Sequence, residues 1–212
     1  MITSYKELTV NKYLQIKELE FNEEDALAYQ CRLLAILDDK TEDEILALPL
    51  SEYHKLVSGS AFLLEKPKIN GKVPKKIIFG GVKYTVCTDI PKLNVAQYVD
   101  YQNMLSMDND KYIPNIIACF LVPEGHKYGD GSYDIDEVAK TVGEVMSIQE
   151  ATNLCFFFFR KYRRLIEDTL IYLAWTIKRL KRKARTETTK EKLRMAESQM
   201  RMLTSLAENG IG

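Results

Sequence analysis

Residues 154–185, LCFFFFRKYRRLIEDTLIYLAWTIKRLKRKAR, limit the folds open to this chain more than any other segment. The segment contains no proline or glycine, and its apolar residues recur at the three- and four-residue spacing of an α-helix. It therefore predicts one long helix. Two adjacent apolar stripes continue as far as Leu173, so we expect the first half of this helix to lie in the core.

The second half of the same helix is basic. We expect it to leave the domain as an arm that contacts partners, and we expect Trp175, where the two halves meet, to be buried against a neighbouring helix. The basic residues of the arm are Lys178, Arg179, Lys181, Arg182, Lys183 and Arg185. Their spacing distributes positive charge around the helix, which suits several acidic neighbours or a phosphate backbone better than one bidentate site.

The net charge of zero conceals a strong asymmetry along the chain. Before Arg160 there are 16 basic and 24 acidic residues, a net charge of −8, and from Arg160 onward there are 14 and 6, a net charge of +8. This pattern indicates head-to-tail self-association, a polyanionic partner, or both. A solvated charged helix is the alternative interpretation.

Composition places the chain among ordinary globular proteins, with 46% hydrophobic and 28% charged residues in 212. The four cysteines are scattered singly, which is typical of reduced thiols in a cytosolic protein and predicts neither a disulfide nor a zinc site. We expect no secretory signal, no membrane-spanning helix and no cofactor. Neither a P-loop, a dinucleotide fingerprint, a G-x-S-x-G elbow nor an H-E-x-x-H pair occurs, so we do not expect an enzyme.

The fold class that these patterns predict is mainly α, with a β-hairpin in the middle of the chain. Helices are expected from near Thr9 and over residues 23–37, 41–48 and 51–64, and Ile77 to Val86 alternate around Gly80-Gly81 as in a hairpin with a type I′ turn. An isolated hairpin is marginal, so it should pack on helices or pair with a neighbouring subunit. The predicted segments are 1–64, helical unit 1; 65–90, hairpin; 91–159, helical unit 2; and 160–212, the basic helix and a final helix.

The two helical units resemble each other. LTVNKYL at residues 8–14 is similar to LNVAQYV at residues 93–99, and TEDEI at residues 41–45 is echoed by DIDEV at residues 134–138. An internal duplication around the hairpin is the simplest interpretation, with chance similarity between helices as the alternative. A calcium loop that starts at Asp130 fails because Ile135 and Thr141 stand where the glycine and the closing glutamate are expected, so for residues 122–137 we predict a glycine-rich turn with Asp134 as the cap of the next helix.

The final helix carries a narrow apolar stripe that includes Leu193, Ala196, Met200 and Leu203. Methionine is a soft and adaptable side chain, so Met195 and Met200, together with Leu203 of the same helix, are candidate partner-binding residues. A helix that packs in the core explains the same stripe equally well.

Several phrases along residues 5–165 resemble small proteins from the structural and tail-assembly gene blocks of tailed phages, particularly crAss-like phages. They are LTVNKYLQIKEL, EILALPLSEYHKL, LNVAQYVDYQNM, IIACFLVPEGHKY and NLCFFFFRKYRRL. Some similar proteins are tail assembly chaperones and others are virion components. The resemblance implies a morphogenesis protein that acts through protein contacts in many copies.

Three functions follow as hypotheses. The first is a structural virion protein of the head-tail connector, the tail or the packaged contents, which contacts copies of itself and other phage structural proteins. The second is an assembly chaperone that acts in the host cytoplasm and is absent from the virion. The third is DNA binding by residues 160–194, where 13 basic residues are enough for a strongly salt-dependent affinity. We expect no small-molecule substrate.

Overall fold

The structure is a computed structural model that describes residues 1–70, 72–105, 110–183 and 187–209. It forms two compact units, Met1–Phe157 and Phe158–Gly212. The predicted mainly α class with a β-hairpin, a long helix and a final helix is confirmed. The helices are α1 Val10–Lys17, α2 Ala26–Asp38, α3 Glu42–Leu46, α4 Leu50–Gly59, α5 Val95–Leu105, α6 Ile113–Ala118, α7 Ile135–Val145, α8 Ile148–Lys183 and α9 Glu187–Asn209; the strands are β1 Lys76–Phe79, β2 Val82–Val86 and β3 Leu121–Pro123.

Local hydrogen bonds fix the starts of the first helices. The Thr9 hydroxyl accepts a bond from the backbone N–H of Lys12 and so caps α1. At α3, Thr41 and Glu44 form a reciprocal capping box, as their spacing predicts. The second helix begins later than predicted, since Glu23–Asp25 form a 3₁₀ turn before α2 starts at Ala26.

Helices α2, α3 and α4 pack around one small apolar cluster. Cys31, Leu34 and Ala35 of α2 are buried with Ile45 of α3, and Leu56 and Val57 of α4 pack against them. The Tyr53 hydroxyl of α4 also donates a 2.7 Å hydrogen bond to the Gln30 side chain of α2. These contacts join the three helices into one layer.

The sheet has three strands rather than two. Strand β2 pairs with β1 through the predicted hairpin, and on its other side it pairs antiparallel with β3, so that Tyr84 lies opposite Pro123. A strand after residue 120 is not predicted from the sequence. The hairpin therefore obtains its missing partner from its own chain and needs no neighbouring subunit for this purpose.

The two glycines of the hairpin turn have the same backbone conformation but different surroundings. Gly80 and Gly81 both have positive φ, 56° and 75°, as a type I′ turn requires. A Cβ on Gly80 would lie 2.7 Å from the Thr141 methyl group, whereas a Cβ on Gly81 would meet nothing within 4 Å. Thr141 cannot easily turn away because its hydroxyl donates a hydrogen bond to the Glu137 carbonyl.

We expect Gly81→Ala to reduce the free energy of unfolding by about 1–2 kcal/mol, the cost of a left-handed alanine. Gly80→Ala should lose a further ~1–3 kcal/mol because it adds a steric clash to the same backbone strain. Urea denaturation of both variants measures the difference. Equal losses would show that the contact with Thr141 is not tight.

Helix α8 starts at Ile148, earlier than the predicted residue 154. Ser147 and Glu150 cap it reciprocally, since the Ser147 hydroxyl accepts a bond from the Glu150 N–H and donates one to the Glu150 carboxylate. The backbone N–H of Ile148 donates a 2.7 Å bond to the Leu8 carbonyl, and Val10 N–H donates to the Met146 carbonyl. The first turn of α8 is thus held by the strand-like segment before α1.

The core of Met1–Phe157 is built mainly from its second half. Phe120 and Tyr101 are fully buried and meet edge to face with ring centroids 4.8 Å apart. Val142 of α7 and Ile117 of α6 are also fully buried. None of the helices in the described part of the chain combines the length and the apolar character that a membrane span requires.

Candidate functional site

Within Phe158–Gly212, α9 lies alongside α8. Leu173 and Ile177 of α8 are buried with Ala196 of α9. The residues that pack against this cluster are Leu180, Leu193, Met200 and Leu203. The narrow stripe predicted for the final helix is therefore used to pack the two helices together.

The opposite side of α8 is exposed and carries large apolar residues. Ile171, Tyr172 and Trp175 are 69%, 63% and 58% exposed. At about 100° per residue, they lie on one arc of α8 with Lys178, Arg179 and Arg182, roughly opposite Leu173 and Ile177. We name this arc, formed by Ile171, Tyr172, Trp175, Lys178, Arg179 and Arg182, the basic–aromatic face.

Two expectations for this helix are wrong. Trp175 is exposed rather than buried, and its ring lies under the Arg179 guanidinium at 5.1 Å from the ring centroid. Phe159 and Tyr172, which belong to the two apolar stripes, are also exposed. Burial follows neither stripe throughout: Phe158 and Ile166, one from each stripe, are buried, and in the second half of α8 the described residues of α9 cover the side that carries Leu173 and Ile177.

Positive charge on the basic–aromatic face is not neutralised by nearby carboxylates. The two acids of this part of α8 pair with arginines one turn earlier, Glu167 with Arg163 and Asp168 with Arg164. Across the described residues, Lys178, Arg179 and Arg182 form no salt bridge. Three exposed cations therefore lie next to three exposed apolar side chains, an arrangement suited to an acidic partner that also buries apolar surface.

The other predicted partner-binding residues lie in several environments. Lys181 forms a 3.0 Å salt bridge with Glu197 of α9, and Met200 and Leu203 are partly buried against α8. Met195 is 60% exposed and remains available for contacts. Lys183 is the last residue of α8, and Arg185 lies outside the described residues. Ile171 and Tyr172 were not among the predicted site residues, although their offset from Trp175 by one turn is visible in the sequence.

A cleft of ≈ 610 Å³ in Met1–Phe157 is the second candidate site. It lies between α5, the end of α6 and the loop before α7, and its lining includes Asp100, Cys119, Tyr128 and Tyr133. The Tyr128 hydroxyl donates a 2.9 Å hydrogen bond to the Asp100 carboxylate. Burial raises the pKa of both tyrosines above the ordinary value, so both stay protonated at neutral pH.

The loop beside this cleft is organised by its own carboxylates. Asp130 accepts a bond from Ser132 N–H, and Asp134 accepts one from Asp136 N–H and caps α7, as predicted. Gly125, Gly129 and Gly131 have positive φ, which agrees with the predicted glycine-rich turn. Over the described ranges, no group of three or more His, Cys, Asp or Glu side chains is placed to hold a metal ion.

Cys119 is a poor nucleophile. The thiol is buried, and burial raises its pKa to about 11 from 9.0. Near pH 8 the thiolate fraction should therefore be about a hundredfold smaller than for an ordinary cysteine. This environment opposes the thiolate form that a cysteine-dependent enzyme uses as its nucleophile.

We expect iodoacetamide to alkylate Cys119 in the folded protein at least about 100-fold more slowly than in urea. Peptide mass spectrometry after timed quenching gives the two rates for the same residue. Fast labelling of the folded protein would show that the thiol is activated, and the cleft would then become a candidate catalytic site.

The chain was compared with protein-family models, curated proteins and solved structures. None of the three comparisons returns a match.

Proposed function

We propose that this protein is a non-enzymatic structural component of a tailed-phage particle, located in the head-tail connector, the tail or the packaged contents. In this proposal many copies assemble, and the basic–aromatic face binds acidic protein surfaces on neighbouring copies and on other virion proteins. The resemblance of residues 5–165 to phage morphogenesis proteins supports the phage context. The geometry of α8 supports the mode of binding.

One observation carries the proposal: the two compact units have opposite charges of equal size. Residues 1–157 contain 16 basic and 24 acidic residues, a net charge of −8, and residues 158–212 contain 14 and 6, a net charge of +8. Units with opposite net charges of this size attract each other across copies. When one surface of a copy contacts a different surface of the next copy, each end of the complex keeps one unoccupied surface. Further copies can therefore add until a ring closes or a filament forms.

Charge alone would give a weak contact, since each exposed salt bridge contributes only about 0–1 kcal/mol. The basic–aromatic face also offers Ile171, Tyr172 and Trp175, which are more than half exposed. Burial of large apolar side chains contributes about 1.5–3 kcal/mol each. Aromatic anchors among arginines are the residue types that dominate protein interfaces.

DNA binding is the second candidate function. The specific observation in its favour is the stacking of Arg179 on the exposed Trp175, because an arginine beside an aromatic ring is a platform on which unpaired bases stack. This role predicts an affinity for single-stranded DNA that falls steeply with salt. Fluorescence anisotropy with a labelled oligonucleotide tests it.

Mass spectrometry of purified virions tests the proposed function. We expect the polypeptide in the particles at a stoichiometry of several copies or more, with the major capsid protein as the reference. Absence from mature particles, together with a soluble complex in infected cells, would contradict a structural role and favour the chaperone.

A further inference from the structure

We propose that the acceptor for the basic–aromatic face is the layer formed by α2, α3 and α4 of a second copy of this chain. This inference rests on the proposed function and names the surface that the proposed self-association would use. The acceptor is called the acidic–leucine surface and comprises Leu27, Leu46 and Leu50 with Glu23, Glu24, Asp25, Glu42, Asp43 and Glu52.

The negative charge of Met1–Phe157 is concentrated in this layer. Residues 20–52 contain 10 acidic and 2 basic residues, a net charge of −8. The rest of residues 1–157 contains 14 of each, so it is neutral overall. The whole excess of negative charge in this unit therefore falls on α2, α3, the start of α4 and the segments that join them, and the rest of α4 adds one lysine, Lys55.

The carboxylates of the acidic–leucine surface are exposed, and most are not held by hydrogen bonds or salt bridges within the chain. Glu24, Asp43 and Glu52 come from three different elements, and within the described ranges none of their carboxylates forms a hydrogen bond or a salt bridge, although Glu52 lies near enough to Lys40 to help raise the pKa of that amine. By contrast, Asp38 and Asp39 in the same layer pair with Lys40 and Lys12. Glu44 is held in the Thr41 capping box and is left out of the surface.

The same layer exposes apolar residues that its own core does not use. Leu27, Leu46 and Leu50 are 59%, 60% and 70% exposed, whereas Leu34 and Ile45 of the same helices are buried. Exposed leucines beside carboxylates are the counterpart of the exposed Ile171, Tyr172 and Trp175 beside cations. Both the charge and the apolar content of the two surfaces are thus complementary.

Charge-reversal variants test this pairing. Acceptor variant Glu24→Lys/Asp43→Lys/Glu52→Lys changes the acidic–leucine surface, and donor variant Lys178→Glu/Arg179→Glu/Arg182→Glu changes the basic–aromatic face. Sedimentation velocity at low salt is expected to show each variant alone as a monomer, with self-association weakened at least about 100-fold relative to the native chain. A 1:1 mixture should again form complexes, because the intact face of one variant meets the intact surface of the other.

A control variant makes the same change in net charge at residues outside the acidic–leucine surface. Glu65→Lys/Glu137→Lys/Glu144→Lys alters three exposed carboxylates of the same unit outside residues 20–52 and should weaken association less than about fivefold. Circular dichroism confirms that every variant is folded.

The outcomes separate this inference from the proposed function. If the native chain associates and the donor variant does not, while the acceptor variant still associates like the native chain, the acidic–leucine surface is not the acceptor. Failure of the mixture to form complexes would also overturn the pairing. If the native chain is monomeric at low salt, self-association itself fails and the proposed function fails with it.

Discussion

Replacing Lys178, Arg179 and Arg182 together with glutamate is expected to abolish self-association without unfolding the chain. The three side chains are exposed and form no salt bridge in the described structure, and the contact of Arg179 with Trp175 is itself exposed, so we expect the fold to lose little stability. Reversal turns three attractions into three repulsions, which we expect to cost the complex about 3 kcal/mol or more, a factor of roughly 100 in Kd. Sedimentation velocity at low salt gives the Kd, and thermal unfolding followed by circular dichroism gives the stability.

The matched control reverses three basic residues of α9, Lys192→Glu/Arg194→Glu/Arg201→Glu, which changes the net charge by the same amount. These residues are exposed but lie outside the basic–aromatic face. Association of the control should weaken by less than about tenfold through the general loss of positive charge. Equal losses in the two variants would show that total charge, rather than this face, drives association.

Replacing Ile177 with aspartate is expected to separate α9 from α8. Ile177 is 9% exposed and lies in the cluster with Leu173 and Ala196. A carboxylate there has no described basic partner within the cluster, so the substitution loses apolar burial and adds an unpaired buried charge, at a cost of about 3–5 kcal/mol. Hydrogen exchange read by mass spectrometry should show α9 amides exchanging at least about 100-fold faster.

Ile171→Asp makes the same chemical change on the same helix. Ile171 is 69% exposed, so the change in unfolding free energy should stay within about 0.5 kcal/mol and α9 should keep its protection. Because Ile171 belongs to the basic–aromatic face, this variant should still associate more weakly than the native chain. Protection of α9 that is equally low in both variants would mean that the face and the packing stripe are wrongly assigned.

Features held by local contacts could be predicted from the sequence. The Thr41 and Glu44 capping box, the Asp134 cap and the two-glycine turn each involve residues within a few positions of one another. Their conformations follow from side-chain chemistry that is the same in any fold. The mainly α class follows from such signals together with hydrophobic spacing.

Features that depend on distant residues were missed. Strand β3 exists because Leu121–Pro123 pair with β2, and a three-residue strand has no periodicity of its own. The start of α8 is only partly such a case: the Ser147 and Glu150 capping box is local and visible in the sequence, whereas the hydrogen bond from the Ile148 N–H to the Leu8 carbonyl joins distant residues. Sequence spacing alone does not reveal such partners.

The candidate site also combines a feature that the sequence predicts with one that depends on distant residues. The basic residues of α8 were identified from composition, but the exposure of Trp175 was not, because an apolar arc shows only which residues can be buried. Which residues are buried depends on where the partner helix lies, and α9 packs on Leu173 and Ile177. Ile171, Tyr172 and Trp175 are left exposed and become the apolar part of the proposed binding face.

Zero-length cross-linking of a mixture of ¹⁴N- and ¹⁵N-labelled copies tests the central claim most directly. A carbodiimide joins a lysine amine to a carboxylate only where the two are in contact, and mixed isotopes mark links between copies. The salt bridge between Lys181 and Glu197 provides an internal reference, since the cross-link between these two residues should form within one copy. We expect Lys178 to be linked to acidic residues of positions 20–52 in peptides of mixed isotope content, and these links should vanish near 1 M salt, where the Debye length is about 3 Å. Links from Lys178 that join only peptides of the same isotope, or no links from Lys178 at low salt, would contradict the claim that this face binds a second copy.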